Sequence, residues 1–300
     1  MASPRVPQRQ QPSEAWRIMR WRSRHWAHRE PLAEGVALTM LRIPAGSFEM
    51  GAPETEAGSS ESERPVHRVT LGQFLLGQTP ITQAQWREVA AWEWLEHDDG
   101  ELWPESLDPE PVAKLKESER FQGEQRPVVN VSWHDAMAFC QRLWLRTGKK
   151  YTLPSEAQWE YACRAGTTTP FHWGATISTK LANYAGTKVY GDGENGEFRQ
   201  QATDVTTFPT NPWGLHDMHG NVWEWCADHW HDNYEGAPED GRAWMEEGAK
   251  EKKNETRYRL LRGGSWFIHP ADCRSACRFD ALPDGRSNLI GFRVCCLPQD

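Results

Sequence analysis

Three hundred residues suffice for one large domain, or two small ones, with a sizeable buried core. At 38% hydrophobic and 25% charged residues the composition is neither disordered nor membrane-like, and no apolar run approaches the roughly 20 residues that span a bilayer. A net charge of −8 argues against general nucleic-acid binding, which needs a basic face.

Seven cysteines (Cys140, Cys163, Cys226, Cys273, Cys277, Cys295 and Cys296), an odd number without a secretory signal, point to a reducing compartment, the cytoplasm, and to buried free thiols. Cys273 and Cys277 lack the paired spacing of a structural zinc site. Seventeen tryptophans beside few aliphatic runs predict a loop-rich core filled by large aromatic side chains.

Residues 1–35 read as a basic arm, rich in Arg and carrying Trp16, Trp21 and Trp26. Such an arm suits nucleic acid or an acidic membrane, or simply packs its tryptophans on the domain that follows. From Val36 the pattern is strand-like, with Leu41 to Gly51 alternating before a polar loop and a second strand over 66–74. Thr82 with Gln85 three residues later is a capping box, opening a helix through Trp86, Val89, Ala90 and Leu95. Residues 97–127 are acidic and aperiodic, and read as a surface insertion.

Pro127 to Val131 is a short apolar strand, after which Ser132 caps a helix through Phe139, Cys140, Leu143 and Trp144. Ser155 caps a third helix carrying Trp159, Tyr161 and Cys163. Glu156 and Glu160, one turn apart, suit acid–base chemistry, or else a first-turn glutamate facing the helix dipole. The long polar region 167–212 leads into Asn211 to Trp225, too glycine-broken for a helix. Asp217 and Glu224, with carbonyls of Gly220 and Val222 between them, have the mixed oxygen character that suits calcium; the simpler reading is two carboxylates bonding loop amides. Residues 232–257 form another charged, solvated insertion.

Arg262-Gly263-Gly264-Ser265-Trp266 and Gly291-Phe292-Arg293-Val294 bracket a stretch, 267–289, without helical or strand period. It reads as a long loop system held between rigid anchors, with Phe292 and Val294 alternating like a strand with one buried face.

Six collinear motifs carry a family resemblance: Gly46 to Gly51, Val131 to Ala136, Leu153 to Tyr161, Gly214 to Trp225, Arg262 to Trp266 and Gly291 to Val294. From about residue 36 to 296 the chain resembles the formylglycine-generating-enzyme, or sulfatase-modifying-factor, family. That resemblance implies an α+β fold of low regular content, a variant of the C-type lectin fold. It also implies two calcium sites, one at Asp217, Gly220, Val222 and Glu224, and one beginning at Asn183 and Tyr184. The family's enzymes oxidise a substrate cysteine with copper held by two cysteines. Here Cys273 stands at the second position and Ile268 at the first, so no copper is expected, because Cu(I) needs two thiolates.

The 267–289 stretch also resembles the variable proteins of diversity-generating retroelements, in which asparagine codons ending in a pyrimidine are randomised. Such codons cannot yield Lys, Glu, Gln, Met or Trp. None of these occurs at the candidate positions Phe267, Ile268, His269, Ala271, Asp272, Cys277, Phe279, Asp280, Ala281, Leu282, Gly285, Ser287, Asn288 and Leu289. The expected function is therefore a non-enzymatic ligand-binding protein whose diversified face meets a protein or other macromolecule, with no nucleic acid and no membrane span. Copper-dependent cysteine oxidation and a regulatory role are the alternatives.

Overall fold

The computed structural model describes residues 24–92, 121–245 and 257–297. Its regular elements are short. Strands β1 (Ala27–Ala33) and β2 (Val36–Ile43) form an antiparallel pair, and β5 (Phe74–Gly77), β11 (Cys295–Cys296) and β6 (Tyr151–Thr152) complete a sheet in the order β1-β2-β5-β11-β6. In β2 the side chains of Leu38, Met40 and Ile43 point into the core. A second sheet has the order β10-β7-β8-β9, built from β7 (Trp223–His229), β8 (Arg259–Arg262), β9 (Arg278–Ala281) and β10 (Ile290–Gly291), with β10 parallel to β7. Strands β3 (Gly46–Met50) and β4 (His67–Leu71) form a separate ladder.

The three α-helices among the described residues begin where the caps predict. In α1 (Gln83–Ala90), α2 (Trp133–Thr147) and α3 (Glu156–Arg164), the hydroxyls of Thr82, Ser132 and Ser155 accept the backbone N–H three residues on, and the third residue's side chain returns the bond. Gly148, in the left-handed region at φ 69°, stops α2. Leu95, expected at the end of the first helix, lies outside the described residues. Trp86 stacks on Phe139 and both meet Phe292 edge-on, at centroid distances of 5.4–6.0 Å, which pins α1 and α2 against the C-terminal segment.

Several sequence expectations are corrected. The boundary at residue 35 is too late, because β1 pairs with β2 along its length. The strand expected over 41–51 breaks at Pro44, and that over 66–74 divides into β4 and β5. Residues 127–131 are buried except for the half-buried Asn130, but form only an isolated bridge, Pro127 to Thr82. The insertions are not wholly solvated: Phe121 is buried against Trp266 and Val129, and Tyr234 and Trp244 pack into the core beside Trp230. Polar composition hid these aromatic plugs. Phe292, Arg293 and Val294 are all fully buried, between β10 and β11, so no face of that segment meets water. Finally, 267–289 is not irregular throughout: a 3-10 turn spans Pro270–Cys273 and β9 pairs with β8.

Candidate ligand-binding face and cation site

Gly263 and Gly264 both adopt positive φ, 97° and 77°. At Gly264 a Cβ would fall 2.6 Å from the Cys273 sulfur, so the turn after β8 tolerates no side chain. The chain emerging from this turn is held from below by buried arginines. Arg262 pairs with Glu160 and donates to the carbonyls of Ser275, Ala276 and Cys277. Arg274 reaches Glu56 and Glu63 at 2.6 and 2.7 Å and also the Gly58 carbonyl. Arg278 binds Glu156 and the carbonyls of Ser62 and His231. Arg293 grips Glu224 through both oxygens, at 2.5 and 2.7 Å, and bonds the carbonyls of Gly77 and His216. Glu156 and Glu160 are therefore the carboxylate halves of buried ion pairs, not an acid–base pair. Glu160 titrates below the usual carboxylate range despite its burial, because Arg164 and Arg262 hold its charge.

Above this layer the candidate binding residues separate. Phe267 and Phe279 are 54% and 51% exposed, and His269 is exposed with them. Asp272, Asp280, Leu282, Gly285, Ser287 and Asn288 are half-buried. Ile268, Ala281 and Leu289 are partly buried against the main core, and Ala271 against a smaller cluster around Phe171. Cys277 is the correction: it is 7% exposed and belongs to the core, its own carbonyl and that of Ala276 held by Arg262 and its other neighbour, Arg278, buried on Glu156. Two aromatic residues outside the stretch support the face, the half-buried Phe198 at its side and the buried Trp223 beneath it, and sequence reasoning missed both. Phe198 packs 5.9 Å from Phe267, and Trp223 stacks on Phe279 at 5.3 Å. Phe198 sits in a glycine-rich polar loop, with no periodicity to reveal it.

The candidate copper position offers no thiolate pair. Ile268 is half-buried and packed on the core. Cys273 and Cys277 are free, buried thiols, and burial pushes Cys273 well above its ordinary pKa and Cys277 up to about 12.

The candidate cation ligands gather around Asn221, whose φ of 71° turns its side chain inward. Its amide N–H donates to the Asn183 carbonyl and its Nδ2 to Asp217 at 3.2 Å, while Asn183 Nδ2 donates to Asn221 Oδ1. Gly220 packs so closely on the Asn183 carbonyl that any Cβ would clash. Two features fit a hard cation here. Asn183 Oδ1 is buried without a hydrogen-bond partner. The Asp217 carboxyl is buried, and that burial, with Glu224 adding to it, raises its pKa to about 8 against the lowering pull of Asn221 and Arg293. Glu224, by contrast, is already neutralised by Arg293 and accepts the Trp159 indole N–H at 2.8 Å. The Tyr184 ring is buried, with its hydroxyl on the Ile177 carbonyl. Val222, immediately before β7, is fully buried. Among the described residues, no three His, Cys, Asp or Glu side chains converge as a metal cage.

Comparison with known proteins agrees with this architecture. The domain described as "Sulfatase-modifying factor enzyme 1-like domain" matches residues 28–296. The formylglycine-generating enzyme of Thermomonospora curvata is 30% identical, covering 88% of this chain and 95% of that protein. PvdO from Pseudomonas aeruginosa superposes with a TM-score of 0.71 at 33% identity, covering 90% of this chain and 98% of that one. Variable protein 1 of Treponema denticola shares the fold, with a TM-score of 0.62 at 23% identity over 91% of this chain and 99% of that one. With its lectin-type α+β architecture and a match along nearly all of its described length, the chain belongs to the formylglycine-generating-enzyme, or sulfatase-modifying-factor, family.

Proposed function

We propose that the chain is a binding protein, not an oxidase, and that the outward side of residues 267–289 is its ligand face, diversified as in retroelement variable proteins. One observation carries the reading: within this segment, large apolar side chains stand in solvent at Phe267 and Phe279 while the backbone beneath is fixed by buried arginines. Exposed side chains so placed can be exchanged without opening a cavity. Exposed aromatic residues are also effective anchors for a protein or other macromolecular ligand. The seven free, buried cysteines support a reducing compartment, the cytoplasm.

The DNA beside the gene tests this reading. A template repeat bearing asparagine codons at the exposed positions, next to a reverse transcriptase gene, is the expected finding. An invariant 267–289 segment across strains, with no such repeat, sinks it. The oxidase reading rests on the 30% identity with the Thermomonospora curvata enzyme. It requires Cu(I) bound by Cys273 and a second thiol, and turnover of a cysteine-containing sulfatase peptide; the expected result is neither.

We further infer a structural calcium ion at the Asn221 cluster, held by Asp217, Asn183 Oδ1 and backbone oxygens from among Tyr184, Gly220 and Val222. The unpartnered Asn183 oxygen and the buried Asp217 carboxyl support it. Glu224 adds no net charge, because Arg293 already balances it.

A further inference from the structure

Strand β9 is an edge of its sheet; among the described residues no strand pairs with its outer side. Its register with β8 sets Arg259 opposite Ala281 and Leu261 opposite Phe279. Residues directly opposite in an antiparallel ladder project to the same face, so these four share one. Leu261 is fully buried beneath, while Phe279 is half-exposed and stacked on Trp223. One diagonal step away, the Arg259 guanidinium lies 3.8 Å over the Trp133 ring. Ala281, the smallest of the four side chains, stands between the two stacks. The register thus sets a small methyl group between a phenyl ring on one side and a guanidinium on the other, a dip that follows from the sizes of the side chains.

Arg259 differs from the arginines of the buried layer. Among the described residues its donors reach only the Ala227 carbonyl, at 2.9 Å, and the Met245 sulfur, at 3.4 Å. A thioether is a weak acceptor. The guanidinium therefore has no carboxylate partner among the described residues. Burial is the largest influence on it and brings its pKa down to about 10, with Asp228 opposing and Arg257 reinforcing. Stacking on Trp133 already orders the planar fork, which lowers the entropic cost of meeting a carboxylate.

We propose that this dip docks an extended peptide segment of a partner protein in which an acidic residue lies two positions from an apolar one. The acid meets Arg259 and the apolar side chain meets Phe279. Same-face residues of an extended chain repeat at about 6.6 Å, close to the roughly 7–8 Å diagonal between these two positions. The free edge of β9 supplies backbone pairing for such a segment. This proposal deepens the binding-face reading at Phe279 and Ala281, but Arg259, Trp133 and Trp223 lie outside the exchanged stretch.

The test is a titration of the full chain, followed by fluorescence polarisation, with a labelled heptapeptide capped at both ends and containing Phe-Thr-Glu. Controls are the Phe-Thr-Gln analogue and a Gln analogue with a free C-terminal carboxylate. The Glu peptide binds at least tenfold more tightly than the capped Gln peptide. Arg259→Met erases that preference, Arg259→Lys keeps part of it, and Phe279→Ala weakens both peptides. Equal binding of the two capped peptides overturns the proposal, as does a preference unchanged in Arg259→Met, or binding only by the free-terminus peptide. If Arg259→Met does not fold, the wild-type salt series decides, and a preference that does not shrink with rising salt is equally fatal. Failure here leaves the Phe267 side of the face untouched, so ligands that depend on Phe267 still bind. Conversely, absence of a template repeat removes diversification and leaves this site standing.

Discussion

The inward and outward sides of residues 262–293 obey different rules. Inward, Arg262, Arg274, Arg278 and Arg293 are each enclosed with one or more glutamates and a set of main-chain oxygens. Removing one partner strands a charge in a medium that cannot solvate it. Outward, Phe267 and Phe279 rest on aromatic neighbours with about half their surface in water. Their loss opens no cavity. The lesson is that sensitivity to substitution in this segment follows the direction of the side chain and not its place in the chain.

The strongest challenge to that contrast is Arg274→Ala, which leaves Glu56 and Glu63 buried without their cation. The expected loss is about 3–5 kcal/mol. It appears as a fall of about 10 °C in apparent Tm by calorimetry. A shift of a degree or two means the inward layer is not what holds the segment.

Calcium comes next. Chelation should lower the apparent Tm by about 5 °C, on the order of the 2.7 kcal/mol that a ligand at a hundredfold its Kd contributes. The pH dependence sharpens this. Without a cation the Asp217 carboxyl titrates near 8 in the folded chain against 3.8 when unfolded. The folded state then retains a proton that the unfolded state releases, so this group's contribution to stability falls as pH rises from about 4 to about 8. Chelated protein should lose stability across pH 5–8 more steeply than calcium-loaded protein, and Asp217→Asn should remove the difference. Parallel pH profiles for the chelated and loaded wild type would rule out calcium at this carboxylate.

The smallest effect is predicted outward. Phe267→Ser and Phe279→Ser should each cost about 1 kcal/mol or less. Thermal denaturation checks this, and a loss comparable to that of Arg274→Ala dissolves the distinction between the two sides.

Sequence revealed the parts governed by local chemistry. The three capping boxes place three helix starts to the residue, because a hydroxyl and an amide three residues on decide them within one turn. Gly263 and Gly264 announce a turn that no side chain fits. The exposure of Phe267 and Phe279 also followed from a stretch without a core-facing period. What stayed hidden depends on distant partners. Cys277 looks interchangeable in sequence, but it lies beside Arg278, whose guanidinium reaches back to Glu156, and is pulled inward with it. Glu224 looks like a cation ligand until Arg293, far along the chain, closes on it. Tyr234 and Trp244 sit in a charged segment whose average polarity conceals two core residues.

One property of the arginine layer bears on heredity. Arg262 donates to the carbonyls of three successive residues, Ser275, Ala276 and Cys277, and Arg274, Arg278 and Arg293 each grip carbonyls as well. A carbonyl is common to every amino acid. At residues 275–277 the support therefore takes hold of atoms that no substitution removes, and a change of side chain elsewhere on the segment leaves that grip in place.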